Sequence, residues 1–436
     1  MTMKLIPRKI TDSIVEYLDT QEIILLIGAR QVGKTSLLKI IQNHLFAKGV
    51  TAQSVYFLNL EDPLVLGYLE RGVNDFLGYL RSIGTDLSRR NYILIDEIQY
   101  LSDPTGFLKL IYDEYPQLKL IVSGSSTLEI RQKFRDSLAG RKVIFELYPL
   151  DFEEFLVFKG EEQLAELYRE CCLRRLLKKE DSPVVTLPAR YRSQEFSQYY
   201  QEFVLNGGYP RVTLESDPKR KLVYLTDIYN SYIRKDIKDL MRIDNPLAFN
   251  NLIQLLAVQS GQMVNLVEIG TALKTSRQTL ERYLFLLENT FVIHLLPPFF
   301  SNRRKEVTKM RKVFFLDTGM RNLLLKSFEF FAGRQDVGAL IENAVFSNLY
   351  KNRELLEDIH FWRTQSQNEV DFVLRTSTTV PIEVKFQAMD KAKLPPGIRF
   401  FLRRYPAKVA FVLTRDFWDR TQLGETTIYF IPVWMA

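Results

Sequence analysis

Cysteine is almost missing from these 436 residues: Cys171 and Cys172 stand side by side, and there is no other. Neither a disulfide framework nor a zinc knuckle is therefore available. The three histidines argue against a His-rich metal site. No apolar run reaches the roughly 18 residues of a membrane helix, and the opening MTMKLIPRKI lacks the apolar core of a secretory signal. A cytoplasmic protein without a membrane partner is expected. Internal repeats and low-complexity tracts are absent as well. No charge sign dominates: 59 Lys and Arg face 52 Asp and Glu, for a net +7 and a pI near 9.1. That balance permits nucleic acid as a partner without demanding it.

What is present begins at Ile23–Ile27, an apolar run that stops at Gly28-Ala29-Arg30-Gln31-Val32-Gly33-Lys34-Thr35-Ser36 and restarts as a helix over 36–48. The spacing G-x-x-x-x-G-K-T between strand and helix is that of a phosphate-binding loop. Gly28 and Gly33 permit a tight curl whose N–H groups converge on phosphate oxygens at the positive end of the helix. Lys34 would reach the β- and γ-phosphates, and the Thr35 hydroxyl would be a Mg²⁺ ligand. Tyr92–Asp96 then reads as a buried parallel strand ending in Asp96-Glu97. Paired with the loop it has the form of a Walker B strand. Asp96 would hold Mg²⁺ through water, and Glu97 would polarise the attacking water.

Leu118–Val122 forms a further strand, ending in Ser123-Gly124-Ser125-Ser126. Ser123 or Ser125 would sense the γ-phosphate or position the water; the other reading is an ordinary helix cap. Arg141, before the strand Val143–Leu147, is either an arginine that stabilises transition-state charge, in cis or in a neighbouring subunit, or a surface residue after a glycine turn.

The segments GARQVGKTSLL, YILIDEIQ, LIVSGSS and SLAGRKVIFELYPLDFEEF resemble the prokaryotic AAA-type P-loop ATPases that carry a poorly characterised C-terminal domain. NGGYPR (206–211), YIRKDI (232–237) and KVFFLDTGMRNLL (312–324) resemble the same family. The resemblance implies ATP as the nucleotide, and no N-K-x-D segment of a guanine-specific protein is found. Residues Ile6–Ile10 are a candidate region for adenine.

Residues 151–246 read as helices and linker, forming a lid-like appendage to a nucleotide domain over 1–150. From 247 to 310 the pattern is helix, short helix, turn, helix and strand, that of a winged helix. On DNA, Arg277, Gln278 and Arg282 would lie along the major groove, and Arg303-Arg304-Lys305 with Lys309, Arg311 and Lys312 would grip phosphates. The same module also serves as a protein-interaction or packing unit.

In the last part, 311–436, Glu342 lies on an amphipathic helix, Asp371 on the strand Glu369–Leu374, and Glu383-Val384-Lys385 on the next strand. Alternation puts Glu383 and Lys385 on one face. A helix Glu, a strand Asp and E-x-K on the adjacent strand resemble the restriction-endonuclease-like (PD-(D/E)xK) core. That resemblance implies Asp371 and Glu383 as ligands of Mg²⁺ or Mn²⁺, Lys385 activating water, and Glu342 holding a second metal or its water. Such cores also persist as non-catalytic binding modules.

The expected fold is therefore α/β: a P-loop NTPase parallel sheet with a helical lid, then a winged-helix segment and a small nuclease-like domain. The expected function is ATP hydrolysis coupled to a DNA-directed C-terminal half. The rival is an ATPase switch whose C-terminal half binds protein partners without cleaving anything. Oligomeric state is left open.

Overall fold

The computed structural model describes residues 5–125, 138–178, 188–233, 243, 245–300, 306 and 309–436. Ser126, Arg234, Lys235, Asp236 and the basic run Arg303-Arg304-Lys305 lie outside the described residues. The chain divides into two compact units. The first comprises Met1–Tyr148 with Ser231–Arg242 and Asn289–Phe291; the second comprises Pro149–Asn230, Ile243–Glu288 and Val292–Ala436. Among the described residues, no helix is long and apolar enough to cross a membrane.

In the first unit, five strands form a parallel sheet in the order β2-β3-β4-β1-β5. They are β1 (Ile23–Gly28), β2 (Val55–Asn59), β3 (Asn91–Asp96), β4 (Leu118–Ser125) and β5 (Lys142–Leu147). β1 and β3 are buried at every position, which is why they read as unbroken apolar runs instead of alternating ones. The helix Lys34–Ala47 buries Leu37, Leu38, Ile41 and Leu45, a spacing that gives one apolar stripe. The stretch between β2 and β3 reads in sequence as polar and weakly helical. It holds two helices, Pro63–Glu70 and Val73–Ser82. Phe76, Leu77 and Leu80 of the second enter the core formed with Ile93, Ile95, Leu108 and Val122. With Val73 that makes four apolar residues on one face, which suffice when the sheet supplies the other half of the core.

The second unit contains a two-stranded antiparallel sheet of β6 (Ile293–Leu296) and β7 (Lys312–Phe315). The helices Pro246–Val258, Leu266–Leu273 and Arg277–Asn289 precede it. A six-stranded mixed sheet follows, in the order β12-β13-β11-β10-β9-β8. Its strands are β8 (Asp358–Arg363), β9 (Glu369–Arg375), β10 (Thr379–Lys385), β11 (Val409–Thr414), β12 (Asp419–Leu423) and β13 (Thr426–Pro432). β8, β9 and β10 run antiparallel; β10, β11 and β13 run parallel. The helix Pro396–Arg404 makes the crossover between β10 and β11, burying Ile398 and Phe401 against Trp362, Val412 and Phe430.

Two of the segments that carry the family resemblance meet here as a structural clamp. Asp317 is buried and accepts the Gly208 N–H at 2.7 Å and the Met320 N–H at 3.0 Å. Asn322 donates to the carbonyls of Val204 and Leu205. The backbones approach so closely that a Cβ on Gly319 would sit 2.1 Å from the Asn206 carbonyl oxygen, and one on Gly208 2.2 Å from that of Leu150. Burial raises the Asp317 carboxyl above its ordinary value, with Lys351 and the backbone N–H groups pulling it back. Gly319→Ala is therefore expected to cost about 1–3 kcal/mol from overpacking. Tryptophan fluorescence is the convenient probe, because all three tryptophans (Trp362, Trp418, Trp434) lie in this unit. An unchanged urea midpoint would remove the clamp.

Candidate functional site

A strand that ends in Gly28 and a helix that starts at Lys34 leave five residues to turn the chain, and the turn uses left-handed backbone. Gln31 has φ 59° and Gly33 φ 100°. Gly28 is fixed by a different constraint: a Cβ there would meet the Leu147 carbonyl oxygen of β5 at 2.2 Å. The Lys34 ammonium is folded back into the loop, donating to the Gly28 carbonyl at 3.1 Å and the Ala29 carbonyl at 2.8 Å, and Lys34 is only 5% exposed. Ala29, Arg30 and Val32 complete the loop, and Ser36 follows Thr35 in the first helical turn.

The parallel order places β4 between β1 and β3, so three strand ends open on one edge. Ligands of open α/β sheets bind at that carboxyl edge. Thr35 Oγ1 donates to Asp96 Oδ2 at 2.6 Å. Ser123 Oγ donates to Asp96 Oδ1 and accepts the Glu97 N–H at 3.3 Å. Asp96 and Ser123 are buried at 3% and 0% exposure. Glu97 adopts φ 60°, ψ 49°, a left-handed conformation uncommon for a residue with a side chain, and its carboxylate accepts from Gln99. Ser125 ends β4 opposite Gly28.

Arg141 is not among them. Its carbonyl accepts the Ile23 N–H, at the start of β1 and β5, whereas the loop follows their ends. Six residues of strand separate the two levels, about 20 Å at ~3.3 Å per residue. Its guanidinium instead pairs with Asp113 at 2.8 and 3.2 Å, and this pairing raises its already high basicity. A role in cis at this loop is excluded by the direction of the strand. Conversely, Arg8 has no motif and sits in the expected adenine region, yet it is buried and donates to the Val32 carbonyl and the Tyr148 carbonyl, both at 2.9 Å. It braces the loop from the N-terminal side. No sequence signal announces this, since a lone arginine in IPRKI looks like surface.

In the second unit, Glu342, Asp371, Glu383 and Lys385 come together, with two residues that sequence reasoning did not place among them, Lys312 and Glu369. β9 and β10 stay paired as far as Ile382–Phe372 and then part, β10 going on beside β11. At the fork Asp371 Oδ2 accepts the Val384 N–H at 2.7 Å. Glu383 Oε1 lies 2.6 Å from the Lys385 ammonium. Lys312 is 3% exposed; its ammonium is 3.1 Å from Glu342 Oε1 and 2.5 Å from Glu369 Oε1.

Burial pushes the Glu342 carboxyl up to about 7, against the pull of Lys312. Burial and then Asp371 push Glu383 up to about 8, and burial likewise raises Asp371. Burial works against the charge of Lys312, but Glu342, Asp371 and Glu369 together outweigh it and hold the ammonium protonated.

A metal does not fit these partners. Asp371, Glu342 and Glu383 each spend an oxygen on a protein donor, and the second oxygen of Glu383 is buried without a partner near Gly397. Among the described residues no three His, Cys, Asp or Glu side chains are arranged to hold a metal ion. The expected ligand role of Asp371 and Glu383 therefore lacks its geometry: a lysine stands among the carboxylates.

Residues 20–156 match the family model described as an AAA domain. Residues 197–329 and 337–435 match two models described as domains of unknown function (DUF8612 and DUF4143). The first unit thus carries an ATPase-like AAA domain on a P-loop α/β fold. An uncharacterized protein of Haemophilus influenzae is 22% identical over 429 residues, covering 97% of this chain and 96% of its own. One of Methanocaldococcus jannaschii is 26% identical over 400 residues, 90% of this chain and 78% of its own. Among solved structures, the Walker-type ATPase of Pyrococcus abyssi is similar at 17% identity and a TM-score of 0.45, covering 74% of this chain and 96% of that one.

Proposed function

We propose that this chain is a Mg²⁺-dependent ATPase whose nucleotide state governs its C-terminal half. The observation that carries the reading is the convergence of Lys34, Thr35, Asp96, Ser123 and the backbone of Glu97 at one sheet edge. Thr35 Oγ1 and the Asp96 carboxylate are hard oxygen donors already in contact, the kind Mg²⁺ takes, and would hold the ion. When bound it neutralises charge on the β- and γ-phosphates. Lys34 would bind the same phosphates once drawn off the loop carbonyls. Glu97 orients the attacking water and accepts its proton, and Ser123 fixes both acidic residues relative to each other.

The test is hydrolysis itself. Glu97→Gln should retain ATP binding while turnover falls about 10²–10⁴-fold, the range for loss of a general base; undiminished turnover would remove Glu97 from the reaction. Arg141→Ala should leave turnover within about twofold, since a partly exposed pair such as Arg141–Asp113 contributes little. A tenfold fall would put Arg141 in a neighbouring subunit's site.

A second reading concerns what the C-terminal half meets. A groove of about 1050 Å³ is lined by Arg399, Arg403, Arg404 and Lys408 together with the hydroxyl residues Thr376, Ser377 and Thr378. With Arg375 the lining holds five cations against the single carboxylate Glu425, and cations with hydroxyls in one groove suit a phosphate backbone. The three helices followed by the β6–β7 pair support the winged-helix reading, although Arg277 is tied to Glu281 at 2.9 Å on the exposed face. DNA binding through this groove should weaken steeply with salt and more so in Arg403→Glu. An absent or salt-insensitive gel shift favours a protein partner.

A further inference from the structure

We infer that the Lys312 ammonium fills the position a divalent cation would take in the C-terminal carboxylate cluster. The cluster is then an ion-paired, metal-free core, and this half of the chain acts by binding instead of by metal-dependent phosphodiester cleavage. The inference stands apart from ATP hydrolysis and does not rest on it.

The donor count carries it. A hard divalent cation is held by carboxylate oxygens that turn towards it, with waters completing its shell. Here Glu342 Oε1 and Glu369 Oε1 face Lys312, Glu369 Oε2 lies 3.5 Å from Arg363, Glu383 Oε1 faces Lys385, and Asp371 Oδ2 takes the Val384 N–H. An ammonium has three donors and no acceptor, so it answers carboxylates as a metal would while offering a metal nothing.

The backbone that carries Lys312 is held on both sides. It pairs with Leu296 in β6 on one side and bridges Met263 on the other, and the Lys312 ammonium lies 5.5 Å from the centre of the Phe361 ring. The residue is delivered by a strand held on both edges, not by a loop. A divalent ion entering the cluster would face the buried Lys312 ammonium in a part-buried site, where repulsion is screened less than in open solvent. The E-x-K pattern thus retains its fold position while its carboxylates serve as partners for two lysines.

The test counts bound Mn²⁺ on the full chain by electron paramagnetic resonance at millimolar metal. Comparing wild type with Asp371→Asn cancels any Mn²⁺ held at the phosphate loop. Equal counts are expected. Lys312→Met, which keeps the length of the side chain and removes its charge, should bind one more Mn²⁺ than Lys312→Met/Asp371→Asn. A wild type holding one more ion than Asp371→Asn overturns the inference, as does a folded Lys312→Met that gains none. Should Lys312→Met fail to fold, the wild-type comparison decides alone. Metal-dependent nicking of DNA by the wild type that disappears in Asp371→Asn would also overturn it.

Discussion

Lys34→Ala is expected to reduce ATP turnover by about 10²–10³-fold or more, the scale for losing one preorganised electrostatic group, while leaving the fold intact. The ammonium is 5% exposed and is held by two loop carbonyls. It therefore occupies a pocket where charge is weakly screened, next to the N–H groups at the start of the helix Lys34–Ala47. Those N–H groups already favour anions. Lysine adds a full positive charge inside the curl, and alanine leaves the Gly28 and Ala29 carbonyls facing the phosphates. Both the affinity for ATP and the charge compensation during transfer should suffer. Steady-state release of phosphate measures the loss, and thermal unfolding checks that the protein is still folded. Turnover above about a tenth of wild type in a clean preparation would end the assignment.

The parts of this site that were legible in the sequence are those whose chemistry is local. The loop spacing, the apolar run into Asp96-Glu97 and the serine at the tip of β4 are each written in a few consecutive residues, and the structure joins them through Thr35–Asp96 and Ser123–Asp96. For Arg141 the sequence leaves the transition-state and surface readings open, because proximity in sequence to β5 says nothing about which end of the strand carries the chemistry; a parallel sheet puts it at the far edge. Arg8 and Lys312 were illegible for a related reason. Each owes its role to carbonyls or carboxylates distant in the chain, Tyr148 in one case and Glu342 and Glu369 in the other. In KVFF, a lysine before three apolar residues looks like the exposed start of a strand, hence the expectation that Lys312 grips phosphate; instead Lys312 is buried on Glu342 and Glu369 and does not reach a phosphate. The fork between β9 and β10 is likewise invisible, since E-V-D and I-E-V alternate as any pleated pair would.

Lys312→Ala is expected to destabilise the second unit by about 3–5 kcal/mol, the range for removing one partner from a buried charge group. Glu342, Glu369 and Asp371 would be left with one cation fewer in a part-buried site, and the lost packing on Phe361 adds to this. The pH dependence separates an electrostatic cause from a cavity. In wild type, Glu342 and Glu383 titrate near 7 and 8, above the ordinary glutamate value. Between that ordinary value and 7 to 8, the folded chain therefore binds more protons than the unfolded one. Stability from these groups is present at low pH and is lost as pH rises through 7 to 8. Removing the ammonium that lowers the Glu342 carboxyl shifts that loss to higher pH and enlarges it. Urea midpoints followed by tryptophan fluorescence from about pH 5 to 9 measure both effects. The deficit of Lys312→Ala should be smallest at the acid end, where the carboxyls are neutral, and should grow as pH rises. A deficit independent of pH would reduce Lys312 to a packing residue and take the charge argument with it.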